Sequence, residues 1–243
     1  MNFAIILSAG VGQRMRNGGL PKQFLKLQNK PIIIYTLEKF ANMADIDKII
    51  IPCHRAYVEY MEEILEMYHI HKVERVIAGG NDRQASLRRG LETIRQLGAA
   101  DDDIVIVHDG VRPLISESVV RENIRIANEY GCAVTVHPVT ESVVVTAGEQ
   151  AEIGDFKKRA DTYTMTAPQT FRFGILSETL NTTVSEEYQG MPLLDAAMLY
   201  AANGGRPYLV KEQNTNLKVT TPEDFYILRA MLELEENKFI FGL

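Results

Sequence analysis

Short runs rich in Val and Ile alternate with longer amphipathic stretches along most of the chain, and few folds accommodate that order. Phe3–Ser8, Lys48–Pro52, Val73–Ala78, Ile104–His108 and Ala133–His137 are apolar on both sides of an extended backbone, so any sheet they form must be covered on both faces. Between them, Ile32–Met43, Ala56–His69, Arg83–Leu97 and Glu117–Tyr130 carry apolar residues at helical spacing. Strands joined through helices imply right-handed βαβ crossovers and a mainly parallel sheet with helices on both faces, an α/β fold. The alternation breaks after His137. Val139–Thr146 and Gln150–Phe156 mix polar and apolar residues around Ala147-Gly148-Glu149, with no helix between them. A β-hairpin arm at about 138–162 is expected there, projecting from the sheet and needing a partner to cover it. The alternation resumes with Phe173–Leu180, Pro192–Ala202, Pro207–Lys211 and Pro222–Glu235. No repeat or linker divides the 243 residues, so a single domain, 1–243, with an arm is expected.

Composition narrows the function classes. With 46% apolar and 24% charged residues the chain falls among ordinary globular proteins, which excludes disordered and disulfide-stapled classes. A net charge of −6 argues against a nucleic-acid partner, because such proteins present a basic face to phosphates, but it leaves room for a small anionic substrate. Apolar runs such as Phe3–Leu7 fall far short of the roughly 20 residues of a membrane span, and no basic segment precedes the first strand. A cytoplasmic protein with no membrane partner is expected. Cys53 and Cys132 show no metal-ligand spacing and read as small hydrophobes.

Ligands of open parallel sheets bind beyond the carboxyl ends of the strands, so the loops there are the places to look for chemistry. After the first strand come Ser8-Ala9-Gly10-Val11-Gly12-Gln13-Arg14-Met15 and then Leu20-Pro21-Lys22-Gln23-Phe24. Glycines there let the backbone approach a phosphate, and Arg14 and Lys22 add fixed positive charge. The third glycine of a dinucleotide fingerprint is missing, and so is the GK[ST] of a Walker loop. The third strand ends in Gly79-Gly80-Asn81-Asp82-Arg83-Gln84-Ala85-Ser86, where Asp82 suits a helix cap or the turn suits a flat base with Ser86 beside it. The fourth ends in His108-Asp109-Gly110-Val111-Arg112-Pro113; Asp109 reads either as an ion pair with Arg112 or as a carboxylate for Mg²⁺ on a triphosphate, and both can hold. Near the C-terminus, Thr221-Pro222 is helix-start chemistry, and Lys218 just before it is the residue with functional meaning.

In this order, AGxGxRM…PKQ (Ala9–Gln23), GGxxRxxS (Gly79–Ser86), HDxxRP (His108–Pro113), PQxF (Pro168–Phe171) and NxKVTxPED (Asn216–Asp224) resemble the cytidylyltransferases that activate polyol phosphates, of the methylerythritol-phosphate and ribitol-5-phosphate types. The resemblance implies a Rossmann-like nucleotidyltransferase domain of GT-A-like form that moves CMP from CTP to a polyol phosphate and releases pyrophosphate, with Mg²⁺ as cofactor. It implies that Ala9, Gly10, Gly12, Gly80, Asn81, Arg83 and Ser86 surround the nucleotide, with Asp109 and Arg112 on its metal side. Arg14, Lys22 and Lys218 would be the catalytic cations on the triphosphate. Ser142 and Arg159 of the arm, and Asp195, would bind the acceptor in a homodimer built through the arm. This chain departs from the family pattern at Glu141-Ser142 (usually Asp-Thr), Ala167 (usually Thr) and Leu194 (usually Thr). A longer loop from Arg14 to Pro21 and Val111 in place of Ala incline it to the ribitol-phosphate type. A transferase for another nucleotide or sugar phosphate, and a CTP-binding regulator with a disabled acceptor site, stay open at this point.

Overall fold

The computed structural model describes residues 1–10, 20–147, 152–183, 195–213 and 215–241. In chain order the elements are β1 (Asn2–Leu7), β2 (Lys26–Leu27), β3 (Lys30–Pro31), α1 (Ile32–Asn42), β4 (Lys48–Cys53), α2 (Val58–Met67), β5 (Val73–Ala78), α3 (Arg83–Gln96), β6 (Ile104–Asp109), α4 (Glu117–Tyr130) and β7 (Cys132–Pro138). Then follow β8 (Val144–Ala147), β9 (Glu152–Phe156), β10 (Tyr163–Arg172), α5 (Phe173–Asn181), α6 (Ala196–Ala202), β11 (Tyr208–Lys211) and α7 (Pro222–Phe241). Each strand and helix expected before residue 139 is present, with ends shifted by three residues at most.

Seven strands form one sheet in the order β11-β7-β10-β6-β1-β4-β5. All pairs are parallel except those of β10, which runs antiparallel to β6 and β7. Strand alternation splits the core between the two faces. Ala4 and Ile6 of β1 and Ile106 of β6 pack with Ile33, Leu37 and Phe40 of α1 and with Met61 of α2. Phe3, Ile5 and Val107 face the other way, onto Leu87 and Ile94 of α3 and Leu176 of α5. Each such side chain, fully buried, contributes about 1.5–3 kcal/mol relative to exposure, so both faces are strongly specified. A third cluster seats Leu228 and Leu232 of α7 on Leu27, Ile32 and Val219, which ties the C-terminal helix to the front of the domain.

β10 is the element that pattern reading does not anticipate. Its sequence, YTMTAPQTFR, mixes Thr and Gln with apolar residues and carries Pro168, which cannot donate to a ladder. The strand accommodates the proline through a register irregularity between Met165 and Gln169 against β7. The arm is present: β8 and β9 pair antiparallel outside the main sheet, with Val144 opposite Phe156. Gly148 and Glu149 of its expected turn lie outside the described residues, as do 192–194 of the expected α6 start. Cys53 and Cys132 are free and buried, as expected; burial pushes the Cys53 thiol up to about 12, so it is no nucleophile at neutral pH.

Candidate active site

A cleft of about 260 Å³ opens beyond the carboxyl ends of β1, β5 and β6. Its first wall is the turn after β1. Gln23 is buried, and its Nε2 donates to the carbonyls of Ser8 (2.8 Å) and Gly10 (3.2 Å), which fixes Ala9 and Gly10 and sets Lys22 beside them on the cleft. The second wall is the turn between β5 and α3. A Cβ on Gly79 would lie 2.3 Å from the Cβ of Ala9, so glycine there lets the two loops meet, and one on Gly80 would lie 2.4 Å from that of Ala85, so glycine there lets the turn fold onto the start of α3. Asp82 caps α3 by accepting from the Ala85 N–H at 2.7 Å. The Ser86 hydroxyl donates to the Asp82 carbonyl (2.8 Å) and accepts from the Gly80 N–H (3.0 Å), so it shapes the turn that presents Gly80 and Asn81.

The third wall carries the charge. Asp109, at the end of β6, is 6% exposed and faces three cations. Arg83 Nη1 reaches its Oδ1 at 2.7 Å, while Arg112 Nε (3.1 Å) and Lys218 Nζ (3.0 Å) share Oδ2. Burial alone would raise the carboxyl pKa, but the charges of Arg83, Lys218 and Arg112 outweigh it and hold the group far below the usual carboxylate range. Lys22, Arg83, Arg112 and Lys218 outnumber the carboxylates of Asp82, Asp109 and Asp195 by one, a small positive excess suited to an anion. Arg83 also spans to Asp195, with Nε 3.1 Å from Oδ1, so one guanidinium joins the end of β6 to the start of α6. Behind the acid, His108 is wholly buried against Phe40 and its Nε2 meets the Arg112 carbonyl at 3.1 Å. Burial pushes its pKa down to about 4, so it is neutral at pH 7 and serves to hold the Arg112 loop.

Residues 2–234 match the model of the IspD family, 2-C-methyl-D-erythritol 4-phosphate cytidylyltransferase. The chain belongs to the IspD cytidylyltransferase family. It is 37% identical, over the full length of both chains, to a protein of Streptococcus agalactiae serotype III named ribitol-5-phosphate cytidylyltransferase. It is 36% identical, again over all of both chains, to one of that name from Vibrio parahaemolyticus. The solved 4-diphosphocytidyl-2C-methyl-D-erythritol synthase of Anaerococcus prevotii superposes with a TM-score of 0.79 over 96% of each chain at 22% identity, which shows the shared fold. The 2-C-methyl-D-erythritol 4-phosphate cytidylyltransferase of Thermus thermophilus does so with a TM-score of 0.68, at 25% identity over 95% of this chain and 98% of that one. The nucleotidyltransferase fold and the enzyme class read from the motifs therefore stand.

Within this IspD-family domain the expected nucleotide residues converge. Ala9, Gly10, Gly80, Asn81, Arg83, Ser86 and Asp109 line the cleft together with Lys22 and Lys218, and Arg112 stands directly behind Asp109. Gly12, Arg14 and Leu194 lie outside the described residues. Ser142 and Arg159 are exposed on the arm and its root and do not line the cleft of their own chain; Arg159 Nη1 donates to the Thr140 carbonyl at 3.2 Å. Ala167 is buried, and the hydroxyl one residue earlier, on Thr166, donates to Glu212 Oε1 at 2.6 Å. It is therefore spent inside the protein and is no substitute for the usual family hydroxyl. Sequence reading passed over Gln23, Gln169 and Glu212. Gln169 Oε1 accepts from the Ala197 N–H at 3.2 Å and so anchors the start of α6. Gln23 and Gln169 stood inside quoted motifs, which was the only signal available; nothing local marked Glu212.

A divalent cation fits this donor set in one way. Among the described residues no three acidic, His or Cys side chains come together to cage a metal. Among the described residues Asp109 Oδ1 accepts from Arg83 alone, however, and so keeps acceptor capacity. Mg²⁺ commonly takes one or two carboxylates together with phosphate oxygens and water, so Asp109 suffices when a triphosphate completes the shell.

Proposed function

We propose that this chain transfers CMP from CTP to ribitol 5-phosphate, releasing pyrophosphate. The three-cation setting of Asp109, in one cleft with the Gly10 and Gly80-Asn81 turns, is the observation that carries the nucleotide half. For the acceptor, the support comes from the full-length relatives at 36–37% identity, which are named ribitol-5-phosphate cytidylyltransferase. In this reading a phosphate oxygen of the acceptor bonds to the α-phosphorus of CTP, the α–β bridging bond breaks, and its electron pair leaves with pyrophosphate. The acceptor phosphate is already ionised at neutral pH, so neither a strong base nor a covalent intermediate is needed.

The barrier is largely electrostatic, since two unit charges about 4 Å apart repel by about 4 kcal/mol at an effective dielectric near 20. Lys22, Lys218 and Arg83, with Arg14, offset that repulsion and the charge growing on the leaving group. Asp109 holds Arg83 and Lys218 in place beforehand, so little reorganisation is left for the reacting complex. Mg²⁺, held by Asp109 and the phosphates, would supply further charge neutralisation. Ser142 and Arg159 bind the acceptor of a neighbouring copy in a homodimer joined through the arms, which accounts for their distance from their own cleft. The enzyme works in the cytoplasm on soluble substrates. Side-by-side pyrophosphate release with CTP and either ribitol 5-phosphate or methylerythritol 4-phosphate tests the reading: ribitol 5-phosphate is expected to give the higher kcat/KM, and preference for the other acceptor or for another nucleotide overturns it.

A further inference from the structure

Among the described residues, the one buried acid without a task in that chemistry is Glu212. It follows β11, is 9% exposed, and its backbone N–H donates to the Val136 carbonyl at 2.9 Å. Its Oε1 accepts the Thr166 hydroxyl at 2.6 Å, and burial raises its pKa above the ordinary carboxylate value. A carboxyl group this buried is costly unless it is hydrogen-bonded, and here the Thr166 hydroxyl of β10 provides that bond.

The contacts lead onward to the cleft. Asn216 is 4% exposed and its Nδ2 donates to the Ala167 carbonyl at 2.6 Å. The Asn216 backbone carbonyl receives Arg112 Nη1 at 2.8 Å, and Arg112 Nε is the group on Asp109 Oδ2. Two residues beyond Asn216 comes Lys218, whose Nζ shares that oxygen, and the Val219 N–H closes the segment onto the Val111 carbonyl at 3.0 Å. Lys218 thus rides on a segment pinned to β10 by Glu212 and Asn216 and to the Asp109 loop by Arg112 and Val219. Glu212 does not line the cleft.

We propose that Glu212, by holding Thr166 next to the Ala167 carbonyl that anchors Asn216, is a positioning residue that sets where Lys218 and Arg112 stand on Asp109. The inference rests on the nucleotide reading given above. Removing the strut leaves both cations in the protein, so CTP is still drawn in; what is lost is their exact alignment on the leaving pyrophosphate. The loss therefore falls on kcat rather than on nucleotide binding.

The test compares Glu212→Ala, Thr166→Val and Thr166→Ser with the parent protein, using pyrophosphate release for kcat and KM and titration calorimetry for CTP affinity and stoichiometry. Glu212→Ala and Thr166→Val are expected to lower kcat per CTP-binding site on the order of 10- to 100-fold, as loss of an outer orienting partner does, with the CTP Kd nearly unchanged. Thr166→Ser, which restores the hydroxyl, is expected to recover most of that kcat. A purely structural role would instead reduce the number of CTP sites while each surviving site kept its full kcat, and that result overturns the proposal. So does a Thr166→Val protein with parental kcat, whether or not Glu212→Ala folds. A parent protein that neither binds CTP nor releases pyrophosphate removes the nucleotide reading itself, and the positioning role with it.

Discussion

The cleft and the arm are built on opposite principles. At the cleft the charged groups are paired within the chain: Asp109 is nearly buried, each of its oxygens is occupied, and Arg83 carries the network on to Asp195. The arm is a two-stranded ribbon on which Val144, Val145, Ile153 and Phe156 are between 42% and 71% exposed. An isolated pair of strands is marginal in water, and this one leaves its apolar side chains uncovered. The contrast separates preorganisation from completion. In the function proposed above, the groups that would meet a highly charged nucleotide are held in advance by ion pairs to a buried carboxylate, whereas those that would serve the acceptor stand exposed on the arm and its root, away from the cleft of their own chain.

The comparison breaks first at the cleft. Lys22→Ala should lower kcat/KM by about 10²–10³-fold or more with the fold intact by circular dichroism, because a preorganised charge is lost. A fully active variant would remove the assignment of the cleft. Arg159→Ala sharpens the division of labour: it should raise the acceptor KM roughly tenfold, about 1.4 kcal/mol, while the CTP Kd stays put. Equal losses for both substrates would mean that the arm and the cleft are not separate binding regions. Phe156→Glu places a charge on the exposed apolar strand and should shift the sedimentation coefficient towards monomer, lowering acceptor turnover and sparing CTP binding.

The smallest effect concerns His108, buried behind the cleft with its pKa pushed down to about 4 by burial. Between pH 6.5, the ordinary histidine value, and pH 4 the unfolded chain takes up a proton that the native state refuses. Stability is therefore full above that window and falls as pH drops through it, by up to a few kcal/mol. In His108→Gln the melting temperature should depend less steeply on pH in that range. Asp109 titrates far lower in the native state, so its contribution is lost only below about pH 4, near the unfolded carboxylate value, which keeps the two effects apart.

How much of this was legible in the sequence follows the physics of each part. β1, β4 and β6 are dense in Val and Ile because they are buried on both faces, and their limits, like those of the half-buried edge strand β5, could be read to within a residue or two. β10 could not be read that way, since Thr, Gln and a proline lie in the middle of a central strand whose acceptability depends on an irregularity in its neighbour's register. At the site, the residues that line the cleft stood in local motifs, and the Asp109–Arg112 pair was visible because three positions separate its members. The bridge from Arg83 to Asp195 spans 112 positions and the tie from Thr166 to Glu212 spans 46, and no local spacing encodes either. Sequence reading placed Ser86 beside the nucleotide; it lines the cleft, and its bond to the Asp82 carbonyl, which shapes the turn, is a further role that spacing did not reveal.

The way the arm leaves the sheet also bears on how such a protein can change. Pro138 at the end of β7 and Tyr163 at the start of β10 are direct cross-strand partners, so everything between them enters and leaves at one rung of the ladder. Topologically the segment is a cassette. It could be lengthened, shortened or exchanged for a tight turn without moving the register of either strand beneath it. A lineage of such enzymes is thus free to refit the arm while the cleft at the strand ends is inherited untouched.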